Sequence, residues 1–213
     1  MLCGRCCVTE PPTKLALRLD IFIEILPRTP VNCLLPSCRL PLVSADTVVL
    51  VPYDEAWPVL FDQERARIER ALGSWAEGIE HVGSTAVAGL AAKPILDIMV
   101  GVGSLRDAKQ YIQPLEQLGY ECRGEAGVPG RLFFRKGDPR SHHLHVTESG
   151  SEFWKRHLSF RNYLRAYPQT AREYALLKHH LADRFRTDRT AYTEAKTAFI
   201  SEVVRRATED KRN

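Results

Sequence analysis

The chain has 213 residues, 44% of them hydrophobic and 26% charged, the balance of a globular protein long enough to bury a core. No apolar run reaches the roughly 18 residues of a membrane-spanning helix, and no period or low-complexity block marks a collagen-like, coiled-coil or wholly disordered chain. A net charge of +4 suits anionic small molecules but is no nucleic-acid-binding signature, and no basic stripe stands out along the chain.

Residues 1–45 differ in texture from the rest. Pro11, Pro12, Pro27, Pro30, Pro36 and Pro41 punctuate them, and no helical or strand period is sustained. This predicts a poorly ordered leader, as a translation start assigned too far upstream would produce; the rival reading is a short amphipathic anchor over 15–26. Arg18, Asp20 and Glu24 interrupt that stretch and no small-residue cleavage site follows it, so it does not read as a signal peptide. Five of the six cysteines (Cys3, Cys6, Cys7, Cys33, Cys38) fall in this segment, and only Cys122 lies beyond it. A disulfide-stapled secreted domain spreads its cysteines through the fold, so a cytoplasmic location is expected. The spacing Cys3-x2-Cys6 with Cys33-x4-Cys38 fits a four-thiolate zinc site, but nothing around it has the texture of a metal knuckle.

One domain is expected over 46–208, with a short tail over 209–213. The β-branched run 47–51, ending at Pro52, predicts a strand. Asp54 then caps a helix to Leu72, with Trp57, Leu60, Phe61, Ile68 and Leu72 at helical spacing and Gly73 as its stop. Strands follow over 79–82 and 95–102, the second a nearly unbroken apolar run that carries Asp97. Ser104 caps a helix over 105–118 that stops at Gly119. Three strands are expected over 120–123, 131–135 and 142–147, then helices over 151–166, 169–184 and 188 to about 208. Mixed strands and helices first and helices last make an α+β class, a sheet with a C-terminal helical cap.

The chemistry concentrates between His81 and Asp97. A strand ending in Gly83-Ser84 before a small-residue turn brings backbone N–H groups close to a ligand, and Ser84 and Thr85 add hydroxyls, a set suited to phosphate. The bland reading is a tight turn that only needs glycine. Asp97 weighs against it, because a carboxylate among Ile, Leu, Met and Val is costly unless paired or holding a metal; Lys93 is the nearest pairing partner in sequence. Alternation puts Ile95, Asp97 and Met99 on one face. Met99 stands where a second acid would complete a divalent-metal site. His143 and His145 share a face of a later strand, as candidates for a metal, a proton relay or an anionic ligand. His81 is placed at the same mouth. Arg131, Arg135 and Lys136 form a basic cluster before the histidines. Arg156, Arg161, Lys178 and Lys196 on the cap read mostly as solvated cations, although Tyr192-x3-Lys196 offers a late phosphate contact. There is no P-loop, dinucleotide fingerprint or Gly-x-Ser-x-Gly elbow.

Several motifs in order resemble the GrpB family: Val51-Pro52-Tyr53-Asp54-x2-Trp57-Pro58, Glu80-His81-Val82-Gly83-Ser84-Thr85, Lys93-Pro94-Ile95-Leu96-Asp97, Pro129-Gly130-Arg131-x-Phe133-Phe134, His143-Leu144-His145-Val146, Phe160-Arg161-x-Tyr163-Leu164-Arg165 and Tyr192-x3-Lys196. The resemblance spans about 47–206, and departs from the family at Ala88, where proline is common. It implies a nucleotidyltransferase-like fold, in which Gly-Ser precedes an acid-bearing strand, and it is shared with domains fused behind dephospho-CoA kinases. The expectation is a nucleotide or another phosphorylated small molecule as partner, held by Gly83, Ser84, Thr85, Lys93, Arg131 and Lys196. Asp97 and His145 would hold Mg²⁺ or Mn²⁺ for nucleotidyl or phosphoryl transfer. The alternative is a non-catalytic module linked to coenzyme A biosynthesis.

Overall fold

The computed structural model describes residues 47–210. The expected leader and its cysteines lie outside the described residues. Helix α1 (Ala56–Leu72) buries Trp57, Phe61, Ile68 and Leu72 of the expected stripe together with Glu64, whereas Leu60 is exposed. Asp54 Oδ1 accepts the Ala56 N–H at 2.8 Å, and Gly73 at φ 55° ends the helix.

Five strands form one mixed sheet: β1 (Gly78–Val82), β2 (Leu96–Val102), β3 (Glu121–Cys122), β4 (Arg131–Lys136) and β5 (His142–Glu148). Their order is β1-β2-β5-β4-β3, with β2 and β5 parallel and the other pairs antiparallel. Because side chains alternate along a strand, the sheet sorts its residues into two unlike faces. Leu96, Ile98, Val100 and Val102 of β2 join Phe134, Leu144 and Val146 against α1 and helix α2 (Lys109–Gln117) to form the main core. Each such fully buried side chain contributes about 1.5–3 kcal/mol. The other face carries Asp97, Met99, His143 and His145, with Asp97 paired to His143 and Met99 to His145 across β2 and β5.

Four helices follow: α3 (Glu152–Ala166), α4 (Pro168–Arg184), α5 (Arg189–Glu194) and α6 (Thr197–Glu209). Leu164 of α3 and Tyr174 of α4 pack with Val87 and Leu90 in a second core, where Phe199 and Ile200 of α6 join them. Arg161, expected as a solvated cation, is instead 8% exposed and fastens α3 to β1, donating to Glu80 Oε2 at 2.6 Å and to the His81 carbonyl at 2.8 Å. The α+β order with helices last is as the sequence indicated.

Four elements differ. Residues 47–51 form no sheet strand: Val51 bridges Ala92, and the Val48 N–H bonds to the Arg186 carbonyl at 2.8 Å, so the segment clasps loops instead. The helix expected from 105 starts at Lys109, because Ser104 Oγ accepts the Arg106 N–H and holds a turn there. β3 is only two residues long, since Tyr120 leaves the edge to place its hydroxyl on Glu64 Oε1 at 2.9 Å. The last helix breaks in two around Lys196, where a tighter bond from Lys196 N–H to the Thr193 carbonyl closes α5.

Candidate functional site

A cavity of about 330 Å³ opens on the polar face of the sheet, between the β1–β2 loop, β5 and the C-terminal helices. Gly83, Ser84, Thr85, Lys93, Asp97, Arg131, His143, His145 and Lys196 all line it, so nine of the ten residues singled out in the sequence meet there. His81 is the exception. It pairs with Ile98 on β2, so alternation turns it to the α1 side, where it stacks on Phe61 with ring centroids 4.7 Å apart. Its Nε2 lies 3.0 Å from Thr85 Oγ1, so the Thr85 hydroxyl expected on a ligand is engaged with His81. Burial pushes the His81 imidazole down to about 4, which keeps it neutral.

Gly83 has φ 70°, and a Cβ there would overlap the Asp97 carboxylate. The turn therefore needs glycine for its dihedral and for the close approach of the acid. Asp97 remains 32% exposed, and its open side is the cavity. Burial pushes its carboxyl up, but the hydrogen bond from His143, then the charges of His143, His145 and Lys93, outweigh that and hold it at about 2. An ionised carboxylate only accepts, so His143 Nδ1 donates to Asp97 Oδ1, at 3.0 Å. In the neutral ring the lone pair then sits on Nε2, which is buried and has no hydrogen-bond partner among the described residues.

His145 is bound differently. Arg131 Nη1 lies 3.0 Å from His145 Nδ1, and a guanidinium only donates, so Nδ1 accepts and the proton of the neutral ring sits on Nε2. Burial pushes this imidazole down to about 3. Arg131 is itself held by the Glu125 carbonyl at 3.1 Å and lies over Phe133, 4.9 Å from the ring centre.

Cations dominate the rest of the wall. Lys93, Arg131, Arg156, Lys178 and Lys196 face one acid, Asp97. Lys178 is 2% exposed on the buried face of α4 and donates to the Ala91 carbonyl. Burial, then the charges of Lys196 and Lys93, bring its ammonium down to about 7. Burial and Lys93 bring Lys196 to about 8. Lys93 and Lys196 lie on the Tyr192 ring, at 5.1 and 4.2 Å from its centre, and Lys178 lies 5.0 Å from that of Tyr174. Tyr174 and Ser84 stand together on the cavity wall, where α4 meets the glycine turn. Three lysines crowded and desolvated without matching acids are costly in isolation; an anion between them removes the cost.

The donor set does not fit the expected metal site. Mg²⁺ takes oxygen ligands, and among the described residues Asp97 is the only carboxylate on the cavity wall. A ligating histidine directs a lone pair at the ion and gives its other N–H to an acceptor. His145 does neither, with Nδ1 taken by Arg131 and Nε2 protonated. Among the described residues no three His, Cys, Asp or Glu side chains are placed to hold an ion. Of the pair expected to hold an ion, Asp97 alone offers an open oxygen donor to the cavity here. Lys178, His157 and Tyr174 were not foreseen at the site; a lysine at i+4 from Tyr174 and three before Leu181, on one apolar stripe, was the available signal.

The GrpB protein profile matches residues 47–206. The chain is 37% identical over 168 residues to the glutamate-rich protein GrpB of Alkalihalophilus pseudofirmus, covering 76% of this chain and 97% of that one. It is 39% identical to the UPF0157 protein YqkA of Bacillus subtilis over 72% of its own length, and spans 45% of that relative. A dephospho-CoA kinase of Mycolicibacterium paratuberculosis is 28% identical over 75% of this chain, which spans 46% of it. The crystal structure of conserved protein GrpB from Enterococcus faecalis superposes with a TM-score of 0.72 and 35% identity, over 78% of this chain and all of the other.

Proposed function

The chain belongs to the GrpB family, and from that premise we propose that it binds a nucleotide or another phosphorylated small molecule in the cavity over β2 and β5. The observation that carries this reading is the convergence of Lys93, Lys178 and Lys196 with Arg131 and Arg156 around one carboxylate. Five cations against one acid leave a surplus that a di- or triphosphate neutralises, and the Tyr174, Tyr192, Phe133 and Phe160 rings on the same wall suit an attached base or other flat group. Ser84 and the Gly83 turn close the phosphate end.

Phosphoryl or nucleotidyl transfer is supported by the Asp97–His143 pair. Asp97 fixes the His143 ring through Nδ1 at the cavity wall, and the surrounding lysines and arginines suit stabilising the charge that develops on phosphoryl oxygens. No step here runs through a metal ion. A second reading, binding without catalysis, is favoured by Met99, which is fully buried where a second acid would stand; the dephospho-CoA kinase relative is what connects that reading to coenzyme A biosynthesis.

The test is mass spectrometry of small molecules carried through native purification, with wild type and Lys196→Gln in parallel. A phosphorylated compound enriched in the wild type alone supports the reading. Identical small-molecule profiles, together with no binding of nucleotides by either protein with or without Mg²⁺ or Mn²⁺, overturn it.

A further inference from the structure

Beside the first cavity lies a second basic groove of about 680 Å³, walled by the β4–β5 turn, the end of β3 and the start of α5. The two share Lys93 and Ile95 as a common partition. Arg135 of β4 stands at register opposite His143, and Arg140 follows on the turn before β5. Arg189 enters from α5 and Arg123 from the end of β3.

Among the described residues the groove wall carries two acids, Glu121 and Asp138, against Arg123, Arg135 and Arg140. Glu121 pairs with Arg123 at 2.7 Å, and Lys136, also on the wall, is turned away to Glu64 at 2.7 Å. Among the described residues neither Arg135 nor Arg140 has an ion-pair partner, and Arg135 Nε is buried without any hydrogen-bond acceptor. A buried guanidinium N–H with nothing to donate to is costly, so an acceptor is wanted at that place. The charges also repel one another: after burial, Arg140, Arg123 and Arg189 all lower the Arg135 pKa. Lys93 feels both compartments, lowered by burial, Arg189 and Arg140 and raised by Asp97.

We propose that the Arg135–Arg140 groove is a second phosphoryl-binding subsite, joined to the first through Lys93. The bound chemistry then carries phosphoryl groups on both sides of Lys93, from one polyphosphorylated molecule or from two phosphorylated substrates held side by side. Arg135 Nε–H supplies one hydrogen bond and Arg140 a planar fork, the geometry that suits phosphate oxygens. The inference rests on the phosphorylated-ligand reading for the first cavity and shares Lys93 with it, but Arg135 and Arg140 are not among the residues that reading uses.

Isothermal titration with inorganic phosphate and with linear tripolyphosphate separates the cases, using wild type, the groove variant R135Q/R140Q, and the cavity variant Lys196→Gln. Melting temperature reports folding of each, and R135K keeps the charge while removing the Nε–H donor. The subsite predicts two phosphates per wild-type chain and one in R135Q/R140Q. Binding of tripolyphosphate at 1:1, at least tenfold tighter than phosphate and losing that gain in R135Q/R140Q, identifies one spanning ligand. Tripolyphosphate no tighter than phosphate, with two phosphates still bound, identifies two substrates. Phosphate binding that Lys196→Gln leaves intact and R135Q/R140Q removes sinks the first-cavity reading while keeping the subsite. Wild-type stoichiometry and affinity unchanged in R135Q/R140Q overturn the subsite.

Discussion

Asp97 on β2 and His143 on β5 stand directly opposite in the parallel register, and the carboxylate accepts a hydrogen bond from the imidazole's Nδ1–H at 3.0 Å. The pairing makes Asp97 a support for the ring beside it. Among the described residues Asp97 is the one acid on the cavity wall, and the surplus of cations around it governs the site's behaviour.

Asp97→Asn is expected to tighten binding of phosphate or sulfate by roughly 2–10-fold, because it deletes the one repulsive charge at a distance where a pair interacts by about 0.5–1.5 kcal/mol. The same variant is expected to slow any transfer reaction, since a neutral amide holds the His143 ring less firmly than the carboxylate does. Titration calorimetry reads the first effect. Weaker anion binding in Asp97→Asn, restored by added Mg²⁺, would instead assign the carboxylate to a metal.

Gly83→Ala tests the turn. Alanine at φ 70° is strained, and its Cβ would overlap the Asp97 carboxylate, so both terms act against folding. A loss of about 2 kcal/mol or more is expected, which for a domain of this size lowers the melting temperature by about 4–8 °C. Calorimetry showing no change would mean the close approach of Gly83 and Asp97 is absent.

Lys178 and Lys196 give two pH dependences of opposite sign. Folded, they release protons near pH 7 and 8, whereas in the unfolded chain both stay protonated up to the ordinary 10.5. The unfolded chain therefore binds more protons across that window, and ligand-free stability gains from these groups as pH rises from about 7 to 10. Anion binding needs the ammonium forms and weakens over pH 7 to 8. Sulfate is the probe of choice because its charge is constant there. Denaturant melts and sulfate titrations at the same pH values check both slopes, and parallel slopes would contradict the placement of the lysines.

Lys178→Met separates function from folding. Removing a buried ammonium from a repelling cluster offsets the lost hydrogen bond to the Ala91 carbonyl, so the melting temperature is expected to move by less than about 3 °C. Anion affinity is expected to fall at least tenfold, the scale of one desolvated charge-assisted contact. A large stability loss with affinity intact would make Lys178 a structural residue.

Much of the site was legible because strand alternation is a rigid rule. It put Asp97 with Met99 and His143 with His145 on shared faces, and the structure keeps both pairs. The same rule, applied to β1, would have excluded His81, which pairs with Ile98 on the core side. Hydrogen-bond roles were not legible, since which histidine meets Asp97 and which meets Arg131 depends on register between β2, β5 and β4. The charged residues on helical apolar stripes were the other loss. Glu64 on α1 and Lys178 on α4 both sit at buried positions, where charge is tolerated only with partners drawn from far along the chain: Lys136 and Tyr120 for one, Ala91 for the other. The break before α6 was hidden as well, because residues 188–208 have no Gly or Pro to mark it.

Nuclear magnetic resonance titration of the Lys178 and Lys196 side chains, assigned through Lys178→Met and Lys196→Met and repeated with saturating phosphate, goes straight to the heart of this account. It predicts that both ammonium groups titrate near pH 7–8 in the ligand-free protein and move upward by at least one unit when phosphate binds. Two lysines titrating at the ordinary 10.5, indifferent to phosphate, would show that the cavity is not an anion site.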